Sequence, residues 1–377
     1  MRIALFTDSY LPNTDGVVSS ILALKKGIER RGHSYEIFAP DAPGSKPEKE
    51  VHRYFAVKFP PYPQYRAAVF PYVPASMAEK TGVKVVHSKA MMSMGVSAMS
   101  FAGRARLPSM ASLETMISDG VHYLTKNKKA QEMGRKIAWG YLKWLYSHFD
   151  TITAPSRHTQ GLMAENSIDS IVLPSPVDTS FFKPNKNGIK VRRGLGLERK
   201  KIILTVGRVV KEKNYLFFAK VAKVMRDPDV VFLISGQGPY LEEFKSEIEK
   251  MGVKDRFVIS GFLPREKLVD YYNAGDVFLF ASPFETQGLV QLEAMACGTP
   301  ACILEGTAPA EAIREGKNGH TFPGEPNACA ERILACIEKR AKFSGEARKT
   351  VEKDYSIGPL GGRLSAEYAK LSEMKGR

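Results

Sequence analysis

The stretch SPFETQGLVQLEAMACGTP, residues 282–300, decides how the whole chain is read. The apolar run DVFLFAS leads into it, Gly288 allows a tight backbone turn, and LVQLEAMA then has apolar residues at helical spacing. Strand, glycine turn and helix together are one unit of a parallel α/β sheet. A helix beginning near Gly288 aims unpaired N–H groups and the positive end of its dipole beyond the strand's carboxyl end, where a phosphate or sugar oxygens could be held. Glu285 falls on the loop and Glu293 on the helix's second turn. Because one of them is on a loop, helical geometry alone does not place the two carboxylates together.

Outward from this unit, the same pattern repeats. KIILTVG, VVFLISG, RFVISGF, DVFLFAS and TPACILE alternate with helix-like segments in the second half, as RIALF, SYEIFAP, VKVVHS and TITAPS do in the first. Short apolar runs separated by segments of 3.6 period predict βα repeats and mainly parallel sheets. FFKPNKNGIKVRRGLGLERK, residues 181–200, is rich in Pro, Gly and Lys without apolar periodicity, and reads as a linker. The expected architecture is α/β, with two Rossmann-like doubly wound domains, 1–185 and 186–357, facing a central cleft. A final helix, about 358–377, follows a Gly-Pro break and is expected to pack back on the first domain.

A chain of 377 residues with 44% hydrophobic content can bury two cores. Its net charge of +15 suits phosphate-rich partners, and the excess is spread over both halves rather than gathered in a tail. Nucleic acid is not an expected partner, because the basic residues are dispersed and no binding motif is present. The four cysteines, Cys297, Cys302, Cys329 and Cys336, lack metal-ligand spacing and read as buried thiols. No apolar run is long enough to span a bilayer and Asp8 interrupts the N-terminal apolar run, so a cytoplasmic protein is expected.

Several strand ends carry residues suited to chemistry. In TVGRVVKEKN, Arg208 and Lys213 follow Gly207, and two cations there could neutralise a leaving diphosphate, one as a planar fork and one as a point charge. ISGQGP and ISGFLP are further glycine turns, weak signals singly. The first strand is followed by TDSYLPNTDGVVSS with no GxGxxG, which disfavours dehydrogenase chemistry. Asp227-Pro228-Asp229 precedes VVFLISG, the wrong end of a strand for a ligand site, and reads as a turn.

Taken together, YLPNTDGV, GRVVKEKN, SGQGP, GFLPREKL and PFETQGLVQLEAMACGTP resemble the retaining, nucleotide-sugar-dependent glycosyltransferases of GT-B type in family four. The resemblance covers nearly the whole chain. It implies that Glu293 holds the donor's ribose hydroxyls, that Glu285 contacts the transferred sugar, and that backbone N–H groups of Thr286, Gln287, Gly288 and Leu289 meet the sugar and distal phosphate. It also implies that Arg208 and Lys213 grip the diphosphate, that Gly16 belongs to a loop closing over the phosphates, and that the base lies near Gly261, Phe262 and Leu263. No protein nucleophile and no metal or other cofactor is implied. The departing phosphate takes the acceptor's proton, which leaves stabilisation of its charge as the protein's main contribution.

The chain departs from the family pattern in three places. Glu114 stands where the family has a histidine that bears on the sugar's six-position, Lys89 replaces the second histidine of an H-x-H pattern whose first, His87, remains, and Pro176 replaces a glycine. On the acceptor side, VHYLTKNKKAQEMGRKIAWGYLKWLYSHFD holds Trp139, Tyr141, Trp144 and Tyr146 among many lysines. A basic, aromatic amphipathic helix can lie in an anionic headgroup layer, aromatic rings inward, or can be a core helix with a wet basic face. With FAVKFPPYPQYRAAVFPY, including PQYR and VHYL, it resembles the glucosyltransferases of diacylglycerol-type lipids. That resemblance implies transfer of a hexose, glucose from a UDP sugar, to a membrane lipid at the inner face of the membrane. A soluble or polysaccharide acceptor, and a noncatalytic nucleotide-sugar-binding protein, are the competing readings.

Overall fold

The computed structural model describes residues 1–59, 66–116 and 127–374, and the chain divides into two compact units, Met1–Pro176 with Ile357–Arg377, and Val177–Ser356. In the first unit the elements run β1 (Arg2–Thr7), α1 (Gly16–Glu29), β2 (Ser34–Pro40), β3 (Val51–Tyr54), β4 (Ala56–Lys58), β5 (Arg66–Ala68), α2 (Ser76–Thr81), β6 (Val83–Lys89), α3 (Ser93–Ala105), β7 (Ser109–Ser112), α4 (Lys128–Tyr146), β8 (Thr151–Ala154), α5 (Arg157–Glu165) and β9 (Ile171–Val172). Seven strands form a parallel sheet in the order β3-β2-β1-β6-β7-β8-β9, and β4 pairs with β5 as a separate antiparallel ribbon. β1 is buried at every residue after Arg2, as a parallel strand covered on both faces must be.

α1 starts where the Asp15 carboxylate accepts a hydrogen bond from the Val18 N–H at 2.9 Å, and it buries Val18, Ile21, Leu24 and Ile28 along one face. The last helix of the chain, Ile357–Met374, lies against α1 at a pair of glycines. A Cβ on Gly361 would sit 3.1 Å from the Gly27 backbone, so neither position has room for a side chain unless the helices move apart. That helix also carries Tyr368 into the core. There its hydroxyl meets Tyr35 Oη at 2.9 Å and His87 Nδ1 at 2.6 Å, while His87 Nε2 meets Ser112 Oγ at 2.7 Å.

The second unit contains α6 (Gly188–Gly194), β10 (Lys201–Val206), α7 (Tyr215–Val224), β11 (Val230–Ser235), α8 (Leu241–Lys250), β12 (Phe257–Gly261), α9 (Arg265–Ala274), β13 (Val277–Phe280), α10 (Leu289–Ala296), β14 (Ala301–Leu304), β15 (Gly319–Phe322), α11 (Pro326–Glu338) and α12 (Arg340–Asp354); the helix at Ile357–Met374 is α13. Its parallel sheet has the order β12-β11-β10-β13-β14-β15. Two clusters of buried side chains form its core, and Cys297, Cys302, Cys329 and Cys336 are free and buried within them.

Residues 181–200, expected to be a linker, are instead built into this second unit. Phe182 and Leu197 are buried in its core, α6 packs on α9, and Arg192 pairs with Asp276 at 2.7 Å. The apolar period was invisible because α6 spans only 7 residues and is tied down by an arginine rather than by an apolar stripe. The division between units therefore falls after Pro176 rather than after residue 185.

Candidate active site

In each sheet the chain leaves its first strand in one direction and later returns to the other side. β11 and β13 flank β10 in the second unit, and β2 and β6 flank β1 in the first. Such a switch point opens a crevice outside the carboxyl ends of the strands, the usual ligand position in doubly wound sheets.

At the second unit's switch point, the loop after β10 ends in a short 3₁₀ turn, Lys211–Lys213, closed by Asn214 in a left-handed conformation (φ 60°). The Asn214 side-chain amide donates to the Ala281 carbonyl at 3.2 Å, tying this loop to the one after β13. That tie brings Lys213 Nζ onto Glu285 Oε1, an ion pair between residues 72 apart in sequence, with Nζ also 5.2 Å from the centre of the Phe280 ring. Neither partner is sealed off: 25% of the lysine side chain and 15% of the glutamate remain exposed. Half-buried Arg208 lies on the same loop.

Gly288 precedes α10 with φ 87°, and a Cβ there would come within 2.8 Å of Pro309 Cγ, so the turn requires glycine on two counts. Gln291 donates to the Pro309 carbonyl at 2.8 Å and locks the turn from within the helix. Thr286 and Gln287 lie on the loop and Leu289 is the first helical residue.

Glu293 is buried under α10 and accepts a hydrogen bond from the Tyr272 hydroxyl at 2.8 Å. Burial pushes its carboxyl up to about 7, against the opposing pull of Tyr272 and of the Arg265 guanidinium. The two glutamates thus engage different partners, Glu285 a cation and Glu293 a phenol. Gly261 ends β12 with φ 74°, exposed Phe262 and half-buried Leu263 follow, and Arg265 then lies over the rings of Phe181 and Phe182 at 4.4 and 5.1 Å. Sequence reasoning missed Tyr272, Asn214 and Arg265. Their spacing is that of ordinary helix and turn residues, and only the fold shows what they touch.

The glycines of SGQGP serve the same region structurally. A Cβ on Gly236 would lie 1.8 Å from the Gly207 carbonyl oxygen, and one on Gly238 would lie 2.2 Å from that of Val209. They let the loop after β11 lie directly on the loop that carries Arg208. Asp227 and Asp229 fall before β11, at the opposite end of the sheet, where they pair with Lys201 at 2.7 Å and Lys200 at 2.8 Å.

In the first unit Gly16 is the first residue of α1, directly after its Asp15 cap. Lys89 ends β6 and Glu114 follows β7; the two residues that depart from the family pattern form a buried ion pair with each other. Asp8, at the end of β1, accepts from the Met91 and Met92 N–H groups at 2.8 Å each, and burial raises its carboxyl above the ordinary value.

Of the two readings of α4, most of its aromatic rings follow the core helix with a wet basic face. Tyr146 is fully buried, Trp139 and Tyr141 lean on the core, and the Tyr141 hydroxyl donates to the Met91 carbonyl at 2.7 Å. The exposed apolar stripe is made instead by Met133, Ile137 and Trp144, at 59, 65 and 46% exposure. These share one face of the helix, turned away from buried Ala138, Leu142 and Leu145, with exposed Lys129, Lys136 and Lys143 in a row beside it. Phe55 and Phe70, around the β4–β5 ribbon, are also exposed, at 73 and 94%. Residues 63–65 of PQYR and all of VHYL lie outside the described residues.

Two Rossmann-like sheets, one with cations and carboxylates gathered at its switch point, define the architecture of a GT-B glycosyltransferase. Family models agree: the one described as glycosyl transferases group 1 matches residues 189–353, and the one described as Glycosyltransferase Family 4 matches residues 14–181. Between them they account for most of the chain, which belongs to these glycosyltransferases. The chain is 29% identical to an alpha-monoglucosyldiacylglycerol synthase of Streptococcus pneumoniae, over 80% of its own length and 70% of that protein. It is 27% identical to the Acholeplasma laidlawii protein of the same name, over 93% of its length and 92% of that one. A GDP-mannose-dependent alpha-mannosyltransferase of Corynebacterium glutamicum is 25% identical over 85% of this chain and 76% of its own. In fold, the chain matches Anabaena Alr3699/HepE, solved in complex with UDP-glucose, with a TM-score of 0.77 at 17% identity, covering 98% of this chain and 100% of the other.

Proposed function

We propose that the protein is a retaining hexosyltransferase that moves glucose from UDP-glucose to a diacylglycerol-type lipid at an anionic membrane surface. The observation that carries this reading is the Lys213–Glu285 pair at the second unit's switch point, with buried Glu293 one helix turn further on. A partly exposed lysine on the loop that also carries Arg208 suits the diphosphate, whose negative charge grows as the sugar departs. Glu285 would then take a hydroxyl of the transferred sugar and Glu293 those of the ribose, each as a charge-assisted hydrogen bond. Thr286, Gln287, Gly288 and Leu289 would meet the sugar and distal phosphate through backbone N–H groups, and Gly261, Phe262 and Leu263 the base. No metal ion takes part in this reading, so chelation leaves the rate unchanged.

The lipid acceptor is favoured by the α4 stripe of Met133, Ile137 and Trp144 beside its lysine row, a surface suited to the headgroup layer. None of the described helices is long and apolar enough to cross a membrane, so attachment would be peripheral. The names of the two glucolipid synthase relatives support the same acceptor, and the mannosyltransferase relative makes GDP-mannose the donor to test against UDP-glucose. The deciding experiment supplies labelled UDP-glucose or GDP-mannose to the protein with vesicles of phosphatidylglycerol and diacylglycerol. The expected product is a labelled α-glucolipid in the organic phase. Label appearing only in water-soluble products would overturn the lipid acceptor, and donor binding without any turnover would overturn the enzyme.

A further inference from the structure

We infer that Tyr272 is a positioning residue for donor binding: its hydroxyl holds one oxygen of the Glu293 carboxylate and leaves the other to accept from the donor's ribose. The inference rests on the proposed function, which gives Glu293 the ribose hydroxyls, and adds the group through which α9 controls that carboxylate. Its starting point is a single contact. The Tyr272 hydroxyl donates to Glu293 Oε2 at 2.8 Å, and among the described residues Oε1 has no hydrogen-bond partner. Glu293 keeps 7% exposure while Tyr272 has none. A phenol has one proton to give; bonded to Oε2, it fixes the rotation of the carboxylate and leaves the lone pairs of the second oxygen for a hydroxyl from outside.

Tyr272 is itself held on three sides. Its ring lies edge-on to Phe182 with the centroids 5.9 Å apart and 6.2 Å from Phe278, and its carbonyl accepts from Thr299 Oγ1 at 2.6 Å. Arg265 opens the same helix two turns earlier, on the same face. Burial raises the Glu293 carboxyl, and both the phenol and the Arg265 guanidinium, stacked over Phe181 and Phe182, pull it back. The neighbouring polar groups do not share this role. Cys297, one turn further along, is a thiol that burial pushes up and keeps neutral, and Arg348 of α12 donates to the Ala296 carbonyl at 2.7 Å. Removing the phenol therefore has two linked consequences: the carboxylate loses its orientation, and it becomes harder to ionise. A packing role alone would be met by phenylalanine, which keeps the ring contacts and loses only the hydrogen bond.

The test measures the affinity for UDP and for 2′,3′-dideoxy-UDP by calorimetry, as a function of pH on both sides of neutrality, for wild type, Tyr272→Phe, Glu293→Gln and the double variant, with Tm as the check on folding. Wild type should prefer UDP and bind it more tightly as pH rises through about 7. Tyr272→Phe should weaken UDP about tenfold at neutral pH, move the midpoint of that rise upward by about one to two pH units, and leave the dideoxy compound bound as by wild type. In the Glu293→Gln background the same change should have no further effect on UDP affinity. With UDP-glucose the loss should fall chiefly on KM rather than on kcat, because the ribose contact is the same in the ground and transition states. An unshifted midpoint, or equal losses for the two nucleotides, would make Tyr272 a packing residue and overturn the inference. If Tyr272→Phe fails to fold, replacing Tyr272 with 3-fluorotyrosine, a more acidic phenol of nearly the same shape, should move the midpoint down, and no movement overturns the inference. Wild type that binds both nucleotides equally would overturn the ribose contact of the proposed function and the inference with it, whereas discrimination that survives intact in Tyr272→Phe overturns the inference alone.

Discussion

Each unit places a lysine–glutamate pair at the carboxyl ends of its parallel strands, and the two pairs are turned opposite ways. In the second unit Lys213 is the more exposed partner, 25% against 15% for Glu285; in the first, Lys89 is the hidden one, 2% against 11% for Glu114. The same two residue types therefore present different chemistry. An accessible ammonium can meet a phosphate, whereas an ammonium that is 2% exposed is confined to the carboxylate it pairs with. What a charged pair does at a switch point depends on which partner faces outward, and neither composition nor spacing records that.

The largest effect that sharpens this contrast is expected at Lys213. Lys213→Ala should lower kcat by on the order of a hundredfold or more, as loss of a transition-state charge stabiliser does. A near-normal rate would remove Lys213 from the mechanism and erase the difference between the two pairs. Glu285→Gln should cost about tenfold to a hundredfold in kcat/KM, because the sugar loses a charge-assisted hydrogen bond while Lys213 stays available to the phosphates. An increase in rate would instead mean that Glu285 only restrains Lys213.

Glu293 provides a pH test. Its carboxyl stands at about 7 in the fold against an ordinary 4.5, so the folded state holds that proton more tightly than the unfolded chain. The stability it contributes is complete below about 4.5 and is lost as pH rises through about 7. Glu293→Gln removes that slope, so its Tm relative to wild type should climb as pH rises through that window. Wild-type UDP affinity should move the other way, strengthening as the ionised carboxylate becomes available to the ribose. Parallel, flat Tm curves for the two proteins would contradict the assignment. The smallest expected effects lie on α4: replacing Lys129, Lys136 or Lys143 singly with alanine should weaken binding to anionic vesicles by about fivefold each at low salt, measured by sedimentation. Binding that ignores both charge and salt would point to another docking surface.

Much of the fold was legible because its strands are short, continuous apolar runs, and a strand buried on both faces can hardly be written otherwise. The segment around Glu285 and Glu293 was legible for a related reason, since glycine, loop carboxylate and helix stand in fixed order within a few residues. What escaped depends on contacts across the fold. Tyr272 reads as one more residue of an amphipathic helix until α10 brings Glu293 to its hydroxyl. Lys89 and Glu114 look like two separate departures from a pattern, and only the adjacency of β6 and β7 makes them one substitution. In α4 the sequence shows that aromatic and basic residues are present, but packing alone decides that Tyr146 goes inward while Ile137 stays out.

The central claim is that the second unit's strand ends hold a nucleotide sugar, and a crystal structure of the protein with UDP-glucose tests it most directly. The account predicts the diphosphate within hydrogen-bonding reach of Lys213 Nζ and the Arg208 guanidinium, the ribose hydroxyls on the Glu293 carboxylate, and a sugar hydroxyl on Glu285. A donor bound at well-defined density remote from those four side chains would contradict it.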